Sequence, residues 1–181
     1  MNIFLIILLV IAGVVALLLI IAAFSKKGYA IQRSIVIDKP VDEVYNYLRH
    51  IRNQDHFSKW VMTDPQMKKT FTGADGTVGF IYAWDGNKKA GKGEQEIKKL
   101  TTNKEIQLEV RFERPFKAVA TTPFILESEA GNSNQTIVKW GMKSAMPWPM
   151  NAAMLFMNIE NMLAKDLEIS LGNLKRIIEQ G

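Results

Sequence analysis

The chain has 181 residues, with 23 basic and 18 acidic side chains and a net charge of +5. This length suits one domain of ordinary size, and the absence of cysteine excludes disulfides, thiolate metal sites and cysteine nucleophiles. Runs of four or more basic residues do not occur, so we expect no nucleic-acid-binding arm.

The first predicted element is an apolar helix over residues 3–24, which carry no charged, amide or hydroxyl side chain. Such a helix would be about 33 Å long, enough to cross a hydrocarbon core of roughly 30 Å. A cleaved signal peptide is the alternative, but no Lys or Arg precedes the run and no small-x-small site follows it. The sequence therefore predicts an uncleaved membrane anchor over residues 1–25.

A short linker is predicted over residues 26–28, followed by one domain over residues 29–181. Lys26 and Lys27 directly follow the apolar run. Since positively charged flanks tend to stay on the cytoplasmic side, we expect a single-pass membrane protein whose domain lies in the cytoplasm.

The start of the domain predicts a strand over residues 29–37 and then a helix that begins at Pro40, where proline has a preset φ. A second, short helix is expected over residues 53–60. The segment 77–84 predicts the next strand, in which Tyr82 and Trp84 share a face.

A polar strand is expected over residues 91–100, and another strand over residues 119–127 that is interrupted at Pro123. Period-two alternation predicts strands over residues 106–112 and 135–143. Such alternation buries one face of a sheet and leaves the other wet, as in antiparallel sheets. A long helix is expected over residues 151–179, with an apolar stripe of Leu163, Leu167, Leu171, Leu174 and Ile178. The predicted fold class is α+β, a curved antiparallel sheet closed by a long C-terminal helix.

Several segments, in this order along the chain, resemble the START-like (SRPBCC) superfamily and its polyketide-cyclase-like branch. They are VIDKPVDEVYNYLRHIRNQDHFSKW at 36–60, YAWDGN at 82–87, GKGEQEI at 91–97, FERPF at 112–116, TIVKWGM at 136–142 and DLEISLGNLKRIIE at 166–179. The resemblance implies a helix-grip fold around a hydrophobic tunnel that takes lipids, polyketides or other apolar ligands. It implies no shared catalytic motif and no cofactor, and the anchor lies outside it.

The inward faces of the predicted strands and the methionine-rich segment supply the candidate pocket lining. These residues are Tyr82, Trp84, Val110, Phe112, Trp140, Met142, Met154 and Met157. Aromatic and thioether side chains suit an adaptable apolar pocket, although the same stripes could be ordinary core. A third interpretation of residues 146–157 is that they dip into lipid headgroups, with Trp148 as an interfacial residue.

Three functional hypotheses follow. The first is a membrane-tethered module that binds or shuttles an apolar small molecule. The second is a cyclase-type or hydrolase-type enzyme, which would need one of His56, Asp85, Glu94 or Arg111 to point inward. The third is an adaptor with a filled interior and a protein partner.

Overall fold

The structure, a computed structural model, describes residues 2–129, 132–156 and 158–180. It contains four α-helices and seven strands within these residues. The helices are α1 (Ile3–Phe24), α2 (Val41–Arg49), α3 (Gln54–Phe57) and α4 (Ile159–Gln180). The strands are β1 (Gly28–Ile37), β2 (Lys68–Thr72), β3 (Ile81–Asp85), β4 (Lys92–Thr101), β5 (Glu105–Arg114), β6 (Ala118–Glu129) and β7 (Asn132–Ala145).

All seven strands form one antiparallel sheet in the order β1-β7-β6-β5-β4-β3-β2. From β2 to β7, neighbours in the sheet are also neighbours in sequence, so short turns join them. Strand β1 forms the edge of the sheet beside β7, with Gly28 opposite Ala145 and Ile37 opposite Thr136. The predicted α+β class and the curved antiparallel sheet with its closing helix are confirmed.

The alternation that predicted the central strands matches their burial. Ile106, Leu108 and Val110 of β5 are buried, and so are Val138 and Trp140 of β7. Helix α4 covers this buried face. Its stripe places Leu167, Leu171 and Leu174 in the same apolar cluster as the sheet, which we call the core cluster.

Several elements differ from the prediction in their bounds or continuity. Helix α2 begins at Val41, because Pro40 has an extended ψ of 151° and lies just before the first turn. Helix α3 is shorter than predicted, with 3₁₀ turns at Ile51–Asn53 and Val61–Thr63 around it. Strand β3 begins at Ile81, because Gly79 has a φ of +88°, which a strand does not accommodate. Strand β6 runs through Pro123 without ending.

The C-terminal helical segment is also shorter than predicted. A 3₁₀ helix covers Met150–Leu155, and α4 begins only at Ile159. This 3₁₀ helix contacts the end of α1, where Ala22 is fully buried. The methionine-rich segment therefore packs against the apolar N-terminal helix and does not extend α4.

Candidate ligand-binding cavity

An internal cavity of about 240 Å³ lies between one end of the sheet and the segments that cover it. The end of the interior that lies farther from α1 is filled by the core cluster. The end nearer to α1 is bordered by a smaller group, which we call the cavity cluster: Val110, Ala120 and Met142, with Tyr29, Ile31, Trp60, Trp84, Phe112 and Leu163 packed against them. The interior is therefore packed at one end and open at the other.

The sheet wall of the cavity contains six of the eight predicted lining residues. Strand alternation turns the following side chains to the same face: Tyr82, Trp84, Val110, Phe112, Trp140 and Met142. The rings of Trp84 and Phe112 meet edge to face, with centroids 6.1 Å apart. This arrangement gives a wall of large apolar area.

The opposite wall comes from the segment after α3 and from the first turns of α4. Trp60, Val61 and Leu163 line it. The Trp60 indole Nε1 donates a hydrogen bond to Asp166 Oδ2 at 3.2 Å, and its ring meets that of Trp140 edge to face at 5.5 Å. Trp60 is thereby held between helix and sheet, where it packs against both the core cluster and the cavity cluster.

The remaining two predicted lining residues are not seen in this cavity. Met154 borders a shallow surface hollow together with Ser25, Lys26 and Phe156. The reason is the break before α4, which moves the 3₁₀ helix away from the sheet and onto α1. Met157 lies outside the described residues.

Four polar residues that the sequence did not single out also line the cavity: Gln54, Ser58, Gln95 and Thr122. All four are buried, and Gln95 Nε2 donates a hydrogen bond to Gln54 Oε1 at 3.2 Å. Gln54 Nε2 and Trp140 Nε1 are buried without a hydrogen-bond partner in the described part of the chain. A signal for Gln95 was present, since it alternates with Glu94 and Glu96, which face the other way.

The ring of Tyr82 lines the cavity, and its hydroxyl makes a polar contact on the side away from the cavity. Its hydroxyl donates to Asp55 Oδ1 at 2.8 Å, and Lys69 Nζ lies 2.7 Å from Asp55 Oδ2. Burial of the ring, followed by the hydrogen bond to Asp55 and the charge of that carboxylate, raises the pKa of the Tyr82 phenol far above its ordinary value. The phenol therefore stays protonated and serves as a hydrogen-bond donor.

The cavity opens at the end of the sheet where α1 is attached. Lys89, Ala90, Arg114 and Pro115 border this opening. Lys89 and Ala90 lie in the β3–β4 connection, Arg114 is the last residue of β5, and Pro115 follows it. Strand register places all four at the same end of the sheet as Gly28 and Ala145. The mouth is therefore on the side of the domain that faces the N-terminal helix.

The residues that would favour an enzyme are not among those that line the cavity. His56 and Asp85 are exposed. Arg111 lies on the outer sheet face, where its guanidinium contacts Glu94 at 2.7 Å, Glu96 at 2.7 Å and Glu109 at 2.5 Å. Its hydrogen bonds, first of all to Glu94, raise the pKa of Arg111, and they hold the pKa of Glu96 below its usual range. This network joins β4 to β5.

The described residues contain no cluster of side chains with the geometry of a metal site. Within the ranges that the structure covers, no three His, Asp or Glu side chains converge in a way that could hold an ion.

Comparison with known proteins shows similarity in structure alone. No family model and no curated protein matches the chain. CalU16 from Micromonospora echinospora is similar with a TM-score of 0.56 and 15% identity, over 83% of this chain and 74% of that one. DynU16, from the dynemicin biosynthetic locus, gives 0.54 and 14%, over 83% of this chain and 47% of that one.

A third similar structure is that of the Aha1 dimer from Colwellia psychrerythraea. It gives a TM-score of 0.57 and 17% identity, over 83% of this chain and 96% of that one. Identities this low carry the fold and no more. The chain thus has a helix-grip fold, preceded by an apolar helix at its N-terminus.

Proposed function

We propose that this protein is a membrane-tethered binding module that holds an apolar small molecule and exchanges it with the adjacent bilayer. The observation that carries the proposal is the open, apolar cavity with its mouth on the side of α1. The fold agrees with it, because the helix-grip architecture shared with CalU16 and DynU16 is the one that the resemblance to START-like domains implies, around an apolar interior. An adaptor with a filled interior fits less well, since a cavity remains in the interior at the end nearer to α1.

The size of the cavity restricts the ligand. Its volume of about 240 Å³ exceeds the roughly 150 Å³ of a cavity known to bind benzene, and it falls below the roughly 300 Å³ at which drug-sized pockets begin. A ligand of one or two rings, or part of a single acyl chain, therefore matches the space. A larger polycyclic molecule would need the cover to move.

The expected affinity is modest. A ligand that buries roughly 200 Å² of apolar surface gains about 5 kcal/mol at 25 cal/mol per Å², and association costs on the order of 4 kcal/mol or more. A tether offsets weak binding, because it keeps the cavity beside a membrane in which apolar molecules concentrate. Modest affinity also permits release, as a shuttle requires.

The tether itself is α1, which is long and apolar enough to cross a membrane. Apart from Ala22, its residues are not buried against the domain. Exposed side chains of Leu, Ile and Val over such a length are stable in lipid and not in water. Lys26 and Lys27 would then lie on the cytoplasmic side together with the domain.

The test fills the cavity without changing the outer surface. Val110→Trp places a large side chain in the open space, and Gln107→Trp on the outer face of the same strand serves as the matched control. Native mass spectrometry of the full chain, released from nanodiscs made with native lipid, detects a bound ligand. We expect a bound species in wild type and in Gln107→Trp, and at least about a tenfold lower occupancy in Val110→Trp, equivalent to about 1.4 kcal/mol. Equal occupancy in both variants, or an empty wild-type protein, would contradict the proposal.

A further inference from the structure

The segment from Pro147 to Phe156 lies beside the last turns of the N-terminal helix. The Trp148 indole Nε1 donates a hydrogen bond to the carbonyl oxygen of Leu19 at 3.1 Å. Leu19 lies five residues before Phe24, where α1 ends. At 1.5 Å per residue, this contact is about 7 to 8 Å inside the end of the helix.

A second contact fixes this segment to the helix end. Asn151 is fully buried, and its Nδ2 donates to the carbonyl oxygens of Ala22 at 2.6 Å and of Lys26 at 3.3 Å. The last carbonyls of a helix lack intrahelical partners, and in lipid an unpaired carbonyl costs several kcal/mol. Asn151 thus adds a second donor to the Ala22 carbonyl, which also accepts the Ser25 amide at 3.2 Å, and it pairs the Lys26 carbonyl just beyond the helix.

The outer surface of the segment is apolar. Residues 147–156 read PWPMNAAMLF and contain no charged side chain. Trp148 is 51% exposed, Met150 41%, Leu155 39% and Phe156 72%. A contiguous exposed patch of this kind marks a contact with a membrane or a protein.

We infer that residues 147–156 form a second membrane-contacting element, which lies in the interfacial region of the bilayer beside α1 and holds the cavity mouth against the lipid. This inference rests on the proposed function, since it requires α1 to be inserted. The depth of Trp148 matches the roughly 5 to 10 Å at which interfacial helices bury their apolar faces. The occupant of this surface is therefore the lipid in which α1 itself lies.

The experiment uses the full chain and the absence of native cysteine. A nitrobenzoxadiazole fluorophore is attached to one introduced cysteine, and the protein is placed in nanodiscs of phosphatidylcholine and phosphatidylglycerol. Phe156→Cys reports on the segment, with Met150→Cys as a second position. Val10→Cys reports on the middle of α1, and Thr102→Cys, in the β4–β5 turn at the opposite end of the sheet, is the water-exposed control.

Lipids that carry a nitroxide quench a fluorophore at the same depth. We expect the Phe156 and Met150 probes to lie in the interfacial region. A nitroxide near the headgroups should therefore quench them at least about tenfold more strongly than it quenches the Thr102 probe. A nitroxide at the chain end should quench the Val10 probe. A quenched Val10 probe with unquenched Phe156 and Met150 probes would overturn this inference and leave the anchor intact. An unquenched Val10 probe would overturn the anchor, and the inference with it.

Discussion

Tyr82 illustrates how a residue of the cavity wall also stabilises the fold. Its ring lines the cavity, and its hydroxyl reaches across to Asp55 between α3 and the sheet. Among the other large aromatic residues of the wall, within the part of the chain that the structure describes, only Trp60 makes a comparable bond to a charged side chain, that of Asp166. The Tyr82 bond fixes α3 to the sheet wall, and the Trp60 bond joins the two segments of the cover to each other.

We expect Tyr82→Phe to lower the thermal midpoint by roughly 3 to 12 °C at neutral pH. A buried hydrogen bond to a charged group contributes about 1.5 to 3 kcal/mol, and 1 kcal/mol corresponds to about 2 to 4 °C for a chain of this size. Thermal unfolding of the full chain in nanodiscs, followed by near-ultraviolet circular dichroism, measures the shift. An unchanged midpoint would mean that the Asp55 contact does not hold in the folded protein.

The same residue gives a dependence on pH. The folded state raises the pKa of the Tyr82 phenol above its ordinary value of about 10, so the associated stability is fully present below that pH and is lost as the pH rises beyond it. Between neutral pH and a pH of about 10.5, the thermal midpoint of wild type should therefore fall further than that of Tyr82→Phe. Tyr29 and Tyr47, whose phenols also have raised pKa values, are unchanged in both proteins and cancel in this comparison.

Among the elements, the junction between α1 and the domain is the least expected. A free linker would let the domain tilt over the membrane. Instead the Met146 amide donates to the Lys27 carbonyl at 2.8 Å, and Asn151 covers the helix end. These bonds make the anchor and the sheet edge one continuous unit.

We expect Asn151→Ala to loosen this unit without unfolding the domain. The change removes the donor to the Ala22 and Lys26 carbonyls and leaves the cavity walls untouched. Spin labels at introduced cysteines in place of Val10 and Thr102 report the distance between helix and domain, and its distribution should become broader in Asn151→Ala. Asn161→Ala, an exposed position on α4, is the control and should keep the wild-type width.

Strands with clean alternation, such as β5 and β7, were predictable because burial of one face imposes a period of two. Strand β2 was missed because its sequence, KKTFT, offers one apolar residue, Phe71, and lies at the edge of the sheet. Edge strands are short and often carry lysine, which weakens the pattern. The end of the C-terminal helix was predictable, but its start depended on a tertiary contact with α1.

The sheet wall of the cavity could be predicted from the sequence, and its cover could not. Six wall residues followed from strand parity, since parity is a local property. The cover was not, because Trp60, Val61 and Leu163 come from segments distant in sequence that meet the sheet only in the folded chain. The buried amide of Gln95 was missed because polar residues on strands are ordinarily assigned to the wet face. Gln54 was missed because it begins the short helix α3, and its burial depends on the contact with Gln95 across the cavity wall.

At the scale of the whole molecule, the orientation of the domain across the membrane is a prediction from Lys26 and Lys27. In intact cells that express the full chain, a membrane-impermeant maleimide should label Asn2→Cys and should label Thr102→Cys only after permeabilisation, because the basic flank stays on the cytoplasmic side. The cysteine-free wild type gives the background. Labelling of Thr102→Cys before permeabilisation would place the domain on the outer side.

The division of the interior into a core cluster and a cavity cluster has an evolutionary consequence. Burial at the packed end supplies stability that does not depend on what occupies the open end. Substitutions at well-separated sites act nearly independently, so positions such as Val110 and Met142 can diversify while the scaffold endures. With the binding role proposed above, a few changes at one end of the sheet would thus be enough to change which ligand the cavity accepts.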